Sequence, residues 1–396
     1  MRWLALCLAV ATLISQGCKS QEPIQISGSC PPFPPKGFDQ KGGALASTSF
    51  GGSAHHSPPA RHVEIPGGPI DGVRIVLERG GCYGTCPSYR VELRGTGEVL
   101  FHGDGFVTFP GDHQTRVSPQ VIECLLQDSR MADFWSLDSE YVANVTDLPT
   151  YKISLTVGGK TKSLTDYAGQ SVGMPTAVTV LEQAIDQAAS TDTWIKGNDK
   201  TIPALEAEHF DFHGRDAADL LATAAQDAPD QVVFALLDHG APLDGLTRED
   251  EMEPRRSAVE VAAMNGRLAL VRRLIVAGAF SKGGRSIVSA TLRASVGSRR
   301  ADMVAEILKY HPDVNSPEKN GDTALALIFT GAHPHASDKD APDEDAAIIK
   351  MLGKAGANPN LPNSEQESLL ELAYSKEDKD ALISIGAHPK GASRPN

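Results

Sequence analysis

The chain has 396 residues, of which 41% are hydrophobic and 22% are charged, and its formal net charge is −13. This length accommodates two or three domains, each with its own hydrophobic core. The acidic balance argues against nucleic acid as a partner, because phosphate binding requires a basic surface. A basic partner is mildly favoured, although a solvated acidic surface explains the same balance.

The chain begins with a targeting segment that we place outside the folded part. An apolar stretch from Trp3 to Ile14 is too short to be a membrane helix. Residues 15–18, Ser-Gln-Gly-Cys, resemble the cleavage site of bacterial lipoproteins, although Ser15 stands where that site prefers leucine. The resemblance implies that residues 1–17 are a signal peptide and that Cys18 is lipidated, with simple cleavage as the alternative. We therefore expect a periplasmic or outer-membrane protein whose contact with the membrane is a lipid anchor.

Residues 18–65 are rich in proline and glycine and show almost no periodic apolar pattern. A segment of this composition buries too little surface to offset the loss of chain entropy on folding. It is predicted to be a disordered tether between the anchor and the folded part.

The cysteines predict at least one disulfide. Of the six in the sequence, Cys7 belongs to the signal peptide and Cys18 would carry the lipid. The remaining candidates are an even number in an oxidising compartment: Cys30, Cys82, Cys86 and Cys124. Cys82 and Cys86 bond with each other, or one of them pairs with Cys124 or Cys30.

Residues 66–198 are predicted to form an α+β domain of two hairpins and two helices, because alternating apolar segments flank glycine-rich turns and helical periodicity follows cap residues. The predicted elements are a strand at 73–78, a hairpin at 89–101, a helix beginning at Ser118-Pro119, a second hairpin with its turn at Gly158-Gly159, and a helix beginning at Pro175.

Four segments of this domain carry a family resemblance. Residues 81–89 read Gly-Cys-Tyr-Gly-Thr-Cys-Pro-Ser-Tyr, residues 147–151 read Asp-Leu-Pro-Thr-Tyr, and residues 166–169 read Asp-Tyr-Ala-Gly. Together with Trp194 they resemble a bacterial domain of unknown function, family 6438. The resemblance implies a fold but no established activity.

From 204 to 390 the chain repeats a pattern of two short helices and a turn. Residues 257–279 resemble an ankyrin repeat almost position for position, and Gly-Ala endings recur at Gly240, Gly278, Gly356 and Gly386. The resemblance implies an all-α ankyrin-like solenoid of about five repeats. His311-Pro312 replaces the glycine of the third repeat, and an acidic insertion interrupts the fourth at 333–345.

The ankyrin resemblance also implies a function. In ankyrin domains the turn tips and the first helices form the binding face, so we expect this chain to bind an unidentified protein of the cell envelope, with no cofactor, metal or catalysis of its own. The positions carried over as partner contacts are Arg255, Arg256, Glu260, Met264, Asn320 and Asp322.

Two other functions stay open. The first is an extracytoplasmic enzyme in residues 66–198. Residues 169–173 match the Gly-x-Ser-x-Gly pattern of a hydrolase with Ser171 as nucleophile, and Cys82 with Cys86 resembles a thiol oxidoreductase pair. The predicted helix begins four residues after Ser171, which is too far for a nucleophile elbow. The second alternative is an antagonist, or immunity protein, for a secreted toxin.

Overall fold

The structure is a computed structural model that describes residues 30–33, 62–248, 254–330 and 344–389. The predicted signal peptide, Cys18 and most of the predicted tether lie outside these residues. The chain divides into two compact units, the sheet unit and the helical unit. Of the described residues, the sheet unit comprises 30–33, 62–82, 90–101 and 112–189, and the helical unit comprises 83–89, 102–111, 190–248, 254–330 and 344–389.

A seven-stranded sheet forms the framework of the first unit. Its strands are β1 Arg74–Arg79, β2 Ser88–Arg94, β3 Glu98–Gly105, β4 Gly111–Arg116, β5 Glu140–Val142, β6 Tyr151–Val157 and β7 Lys160–Tyr167. Their order across the sheet is β4-β3-β2-β1-β6-β7-β5. β6 pairs antiparallel with both β1 and β7, whereas β5 pairs parallel with β7.

Two helices of the sheet unit, α1 (Pro119–Met131) and α2 (Thr176–Ala189), pack against each other, and α2 also packs against β1. α1 begins as its sequence predicts, because the side chain of Ser118 accepts a hydrogen bond from the Gln120 amide and Pro119 occupies the first turn. Apolar residues recur at helical spacing on the buried faces of both helices: Val121, Ile122, Leu125, Val178, Leu181 and Ile185.

Strands β1 and β2 carry an ionic cluster centred on Glu92. The Glu92 residue itself is buried, with only 3% of its surface exposed. Its carboxylate accepts hydrogen bonds from Arg74 Nη2 at 2.6 Å, Arg90 Nη2 at 2.9 Å and Arg94 Nε at 3.0 Å. These three guanidinium groups, Arg74 first among them, lower the pKa of Glu92 to about 2 despite its burial. Alternation along the strands places the three side chains of β2 on one side of the sheet.

The helical unit contains α3 Asp192–Ile195, α4 Thr201–Ala207, α5 Arg215–Asp227, α6 Asp230–Asp238, α7 Ala258–Met264, α8 Leu268–Val276, α9 Ala279–Val296, α10 Ala301–Leu308, α11 Ala324–Thr330, α12 Asp345–Lys354, α13 Leu369–Leu372 and α14 Lys376–Ser384. From α5 onward the helices form consecutive pairs. The first helices pack in the series α5, α7, α9, α11 and α13, and among the second helices α6 packs on α8, α10 on α12 and α12 on α14. α9 is kinked at Gly284.

The second helices share one burial register. Each pair ends at a residue with a left-handed or similar backbone conformation, with φ between 52° and 104°: Gly240, Gly278, His311, Gly356 and Gly386. Four residues before each of these positions lies a side chain that is 0% exposed: Leu236, Leu274, Ile307, Leu352 and Leu382. The register therefore continues through the third pair, where the sequence lacks the glycine.

Two asparagines link successive pairs in the same manner. The side-chain nitrogen Nδ2 of Asn315 donates to the Gly356 carbonyl at 2.9 Å, and the side-chain oxygen Oδ1 accepts from the Asn358 backbone N–H at 2.8 Å. Asn360 repeats both contacts one pair later, donating to the Gly386 carbonyl at 3.0 Å and accepting from the His388 backbone at 3.1 Å. These bonds satisfy carbonyl and amide groups that helix ends leave without intrahelical partners.

A sheet-rich N-terminal region followed by helices confirms the predicted order of fold classes. Both predicted hairpins and both helices of the first region are present, but the prediction of only two hairpins was incomplete because it missed β4 and β5. These two strands form the edges of the sheet. β4 reads Gly-Asp-His-Gln-Thr-Arg and contains no apolar residue, so it lacks the alternation on which strand prediction depends. No helix in the described ranges is both long and apolar enough to cross a membrane.

Candidate functional site

Three polar side chains form a row at one end of the sheet. Arg79 ends β1 and is paired with Tyr151 of β6, which in turn is paired with Asp166 of β7. Directly paired residues of neighbouring strands project to the same face. The guanidinium carbon of Arg79 lies 4.9 Å from the centre of the Tyr151 ring, within the range of a cation–π contact.

α2 adds two carboxyl groups to this row. Glu182 and Asp186 are four residues apart and therefore lie on the same side of the helix. Glu182 is 4% exposed, and its Oε1 atom has no hydrogen-bond partner in the part of the chain that the structure describes. Burial raises the pKa of Glu182 well above 4.5, Asp166 and Asp186 raise it further, and Arg79 opposes them. We call Arg79, Tyr151, Asp166, Glu182 and Asp186 the carboxyl cluster.

Asp166 also organises the turn that follows β7. Its Oδ1 accepts a hydrogen bond from the Gly169 amide at 2.6 Å, and it is 8% exposed. Burial raises the pKa of Asp166, whereas this hydrogen bond lowers it. In the same turn, the hydroxyl of Ser171 donates to the Ala168 carbonyl at 2.7 Å. Ser171 is exposed and lies in a short 3-10 turn, Gly169–Val172, and not at the start of α2.

The chemistry available to the carboxyl cluster is that of protons and hydrogen bonds. Among the described residues, no group of three or more histidine, cysteine, aspartate or glutamate side chains is arranged to hold a metal ion. A carboxyl with a raised pKa beside other carboxylates is a proton donor. The sequence pattern did not predict this cluster, although an acidic residue at 182 between the core positions Val178 and Ile185 was a signal of it.

The four cysteines among the described residues are oxidised. Cys30 and Cys124 form a disulfide with an S–S distance of 2.07 Å, and Cys82 and Cys86 are also disulfide-bonded. The expectation of at least one disulfide is confirmed, and of its two alternatives the structure contains the bond between Cys82 and Cys86. The other alternative, Cys82 or Cys86 paired with Cys30 or Cys124, was wrong because Cys30 and Cys124 are bonded to each other. Sequence spacing could not reveal this pair, since 94 residues separate its members.

Two of the predicted partner contacts precede α7. Arg255 is exposed, and its Nε donates to the Thr247 carbonyl at 2.9 Å. Arg256 is half-buried, with its Nη1 atom 3.7 Å from Glu318 Oε1, so it connects the tip before α7 with the tip before α11. The structure thus brings these two tips together.

Two further predicted residues lie on α7. The Glu260 carboxylate accepts from both the backbone and the hydroxyl of Ser257, at 3.0 Å and 2.6 Å, and completes a capping box at the start of the helix. Met264 is half-buried at the last position of the helix. Glu260 therefore stabilises α7, whereas the Met264 side chain is partly available to a partner.

The remaining two predicted residues lie on the tip before α11. Asn320 is exposed, and its side chain donates to Asp322 Oδ2 at 3.0 Å. Asp322 is 2% exposed and accepts from the Ser364 amide at 2.7 Å and from the Ser364 hydroxyl at 3.1 Å. Asp322 therefore joins its own tip to the next one, and Asn320 is the more accessible member of the pair.

Residues 73–189 match the model of a family described as "Domain of unknown function (DUF6438)". The match extends from the residue before β1 to the end of α2 and includes every member of the carboxyl cluster. The comparison with curated proteins found no match for this chain. The resemblance expected for the N-terminal domain is thus confirmed.

Proposed function

We propose that the helical unit is an ankyrin-like array and that the protein acts as a protein-binding module of the bacterial cell envelope. The observation that carries the proposal is the shared burial register of the five second helices. In repeat proteins each helix pair buries its apolar face against its neighbours, and the tips remain available along one extended surface.

The proposed binding surface consists of the exposed or half-exposed residues Arg255, Met264 and Asn320. Arg256 and Asp322 act as positioning residues, because their ion pair and hydrogen bonds link one tip to another. We expect a few residues of this surface to account for most of the binding energy.

The binding proposal is tested by site-specific photo-cross-linking in cells. A photoreactive amino acid is placed at position 255, 264 or 320, and in control variants at Val276 or Ile383, which are 79% and 55% exposed on second helices. The three tip variants should cross-link to one and the same envelope protein, and the controls should not. Equal labelling from both sets, or no labelling from the tips, contradicts the proposal.

We also propose that the chain is exported and attached to a membrane through a lipid on Cys18. The Ser-Gln-Gly-Cys segment supports this, although it lies outside the described residues. Fractionation of cells that express the native chain or Cys18→Ser provides the test. The native chain should sediment with membranes, and the variant should appear in the soluble periplasmic fraction; identical distributions contradict lipidation.

A second candidate function is an enzymatic or ligand-binding activity of the sheet unit, and the carboxyl cluster favours it. Burying a carboxyl without a hydrogen bond costs free energy, and such groups concentrate at functional sites. The two nucleophiles considered from the sequence have less support, since the Ser171 hydroxyl is bonded to a backbone carbonyl and Cys82 and Cys86 are disulfide-bonded. A serine-directed activity probe and maleimide titration should leave both unlabelled. Labelling of Ser171 would support the hydrolase hypothesis, and labelling of Cys82 or Cys86 would support the thiol oxidoreductase hypothesis.

A further inference from the structure

The predicted tether, residues 18–65, is bonded to α1 already at residue 30. The disulfide joins Cys30 to Cys124 in the middle of α1, with 5.3 Å between their Cα atoms. The three residues after Cys30, Pro31 to Phe33, line one cavity together with Val121 and Leu125 of α1 and with residues of α2. Position 30 is therefore part of the folded unit.

The next described residues contact the region just after the C-terminal end of the same helix. The His62 ring nitrogen Nδ1 lies 2.7 Å from Asp133 Oδ1, and the Val63 amide donates to the Ser136 hydroxyl at 2.7 Å. Asp133 and Ser136 lie just beyond the end of α1. The chain is thus attached to the α1 region on both sides of residues 34–61.

We propose that the Cys30–Cys124 disulfide sets the distance between the sheet unit and the membrane, and so restricts the protein to membrane-proximal partners. This inference rests on the proposed lipid anchor at Cys18. Cys30 lies 12 positions after Cys18, whereas His62, which makes the next described hydrogen bond to the α1 region, lies 44 positions after it.

The difference in reach follows from chain dimensions. Fully extended, 12 residues span at most about 43 Å and 44 residues at most about 160 Å. The disulfide therefore reduces the maximum reach of the anchor nearly four-fold.

The test measures the height of the full-length lipidated protein on phospholipid vesicles. A donor fluorophore is attached through a non-natural amino acid at position 123, which is exposed on α1, and the acceptor is a labelled lipid headgroup. Energy transfer should be high for the native chain and should fall in Cys30→Ser/Cys124→Ser, because the longer anchor segment of the variant allows the donor to lie further from the headgroups. Cys82→Ser/Cys86→Ser is the matched control and should leave the transfer unchanged.

A second variant guards against misfolding of the first. A 32-residue Gly/Ser insertion between Cys18 and Cys30 keeps the disulfide and gives the anchor segment the length it has in the double variant. Its energy transfer should fall by the same amount. Unchanged transfer in the insertion variant, or equal transfer in the native chain and Cys30→Ser/Cys124→Ser, overturns the proposal.

Failure of the native chain to attach to vesicles also overturns it, by removing the anchor on which it rests. The cross-linking experiment on the tips requires no anchor. A failure of the proposed partner binding can therefore be told apart from a failure of this inference.

Discussion

Burial disfavours the ionised form of the Glu182 carboxyl group. The group lies on the buried side of α2, its Oε1 atom has no hydrogen-bond partner among the described residues, and it interacts with the charges of Asp166, Asp186 and Arg79 and with Tyr151. Because burial raises its pKa well above 4.5, the folded protein keeps a proton that the unfolded chain releases. Its contribution to stability is fully present below pH 4.5 and is lost as the pH rises through the folded pKa.

We therefore expect Glu182→Gln, which cannot ionise, to be more stable than the native protein at pH 8 and similar to it at pH 4. Urea unfolding at the two pH values measures the difference. Glu123→Gln on the exposed side of α1 is the control and should shift neither midpoint. A variant that is less stable than the native protein at pH 8 would show that the carboxylate makes a stabilising contact.

The pKa of Glu92 in β2 shifts in the opposite direction to that of Glu182. Its three arginine partners lower its pKa from 4.5 to about 2, so its contribution to stability is present above pH 4.5 and is lost as the pH falls toward 2. Glu92→Gln should lower the free energy of unfolding at pH 7 by about 3 kcal/mol, since each pKa unit between 4.5 and about 2 corresponds to about 1.4 kcal/mol. The variant should also lose less stability than the native protein between pH 5 and pH 2.

The control for Glu92 is Glu98→Gln. Glu98 pairs with Arg94 alone among the three arginines, and the pair is more exposed, with 45% and 23% side-chain exposure. Exposed pairs contribute less than about 1 kcal/mol. Equal losses in the two variants would mean that the Glu92 cluster behaves as an ordinary surface pair.

At the scale of the elements, the third helix pair keeps the burial register of its neighbours although it ends at His311, a non-glycine residue with a left-handed backbone conformation. His311 has φ 52°, whereas Gly240, Gly278 and Gly356 at the same position have φ between 92° and 104°. A non-glycine residue in the left-handed region loses about 1–2 kcal/mol. His311→Gly should therefore raise the unfolding free energy of the helical unit by about 0.5–1 kcal/mol, after the extra flexibility of the unfolded chain is subtracted.

Urea unfolding of the native chain and the variant measures this gain, and Gly356→Ala is its counterpart. Among the described residues, no atom outside the immediate chain neighbours lies within 4 Å of the position that an alanine Cβ would occupy there, so the expected loss of about 1 kcal/mol is conformational and not steric. Destabilisation by His311→Gly would indicate that the imidazole makes a contact worth more than the strain.

The same elements show which parts of the fold the sequence predicts. Gly240, Gly278 and Gly356 marked the helix ends because local backbone conformation demands glycine there. The helix end at His311 was not predicted, because histidine adopts there a conformation that usually requires glycine. Strand β4 was not predicted either, because it forms a sheet edge without apolar residues. The carboxyl cluster was not predicted for a third reason: Arg79, Tyr151 and Glu182 meet only through strand register and helix packing.

At the scale of the whole molecule, the Cys30–Cys124 disulfide decides how much of the N-terminal segment belongs to the fold. It closes a loop of 94 residues within the sheet unit. A cross-link stabilises mainly by restricting the unfolded chain, and a loop of this length gives at most about 4–5 kcal/mol. Measured contributions are usually smaller, about 2–4 kcal/mol.

The free energy of unfolding of Cys30→Ala/Cys124→Ala should accordingly be lower by about 2–4 kcal/mol, and this loss of stability should appear in the sheet unit. Amide hydrogen exchange resolves this by position: exchange should accelerate at the buried residues Ile122 of α1 and Leu77 of β1, with Ala262 of α7 in the helical unit as the internal reference. Acceleration of equal size at all three would show that the two units open together. Unchanged exchange at Ile122 would mean that the packing of α1 alone, without the cross-link, already fixes this part of the fold.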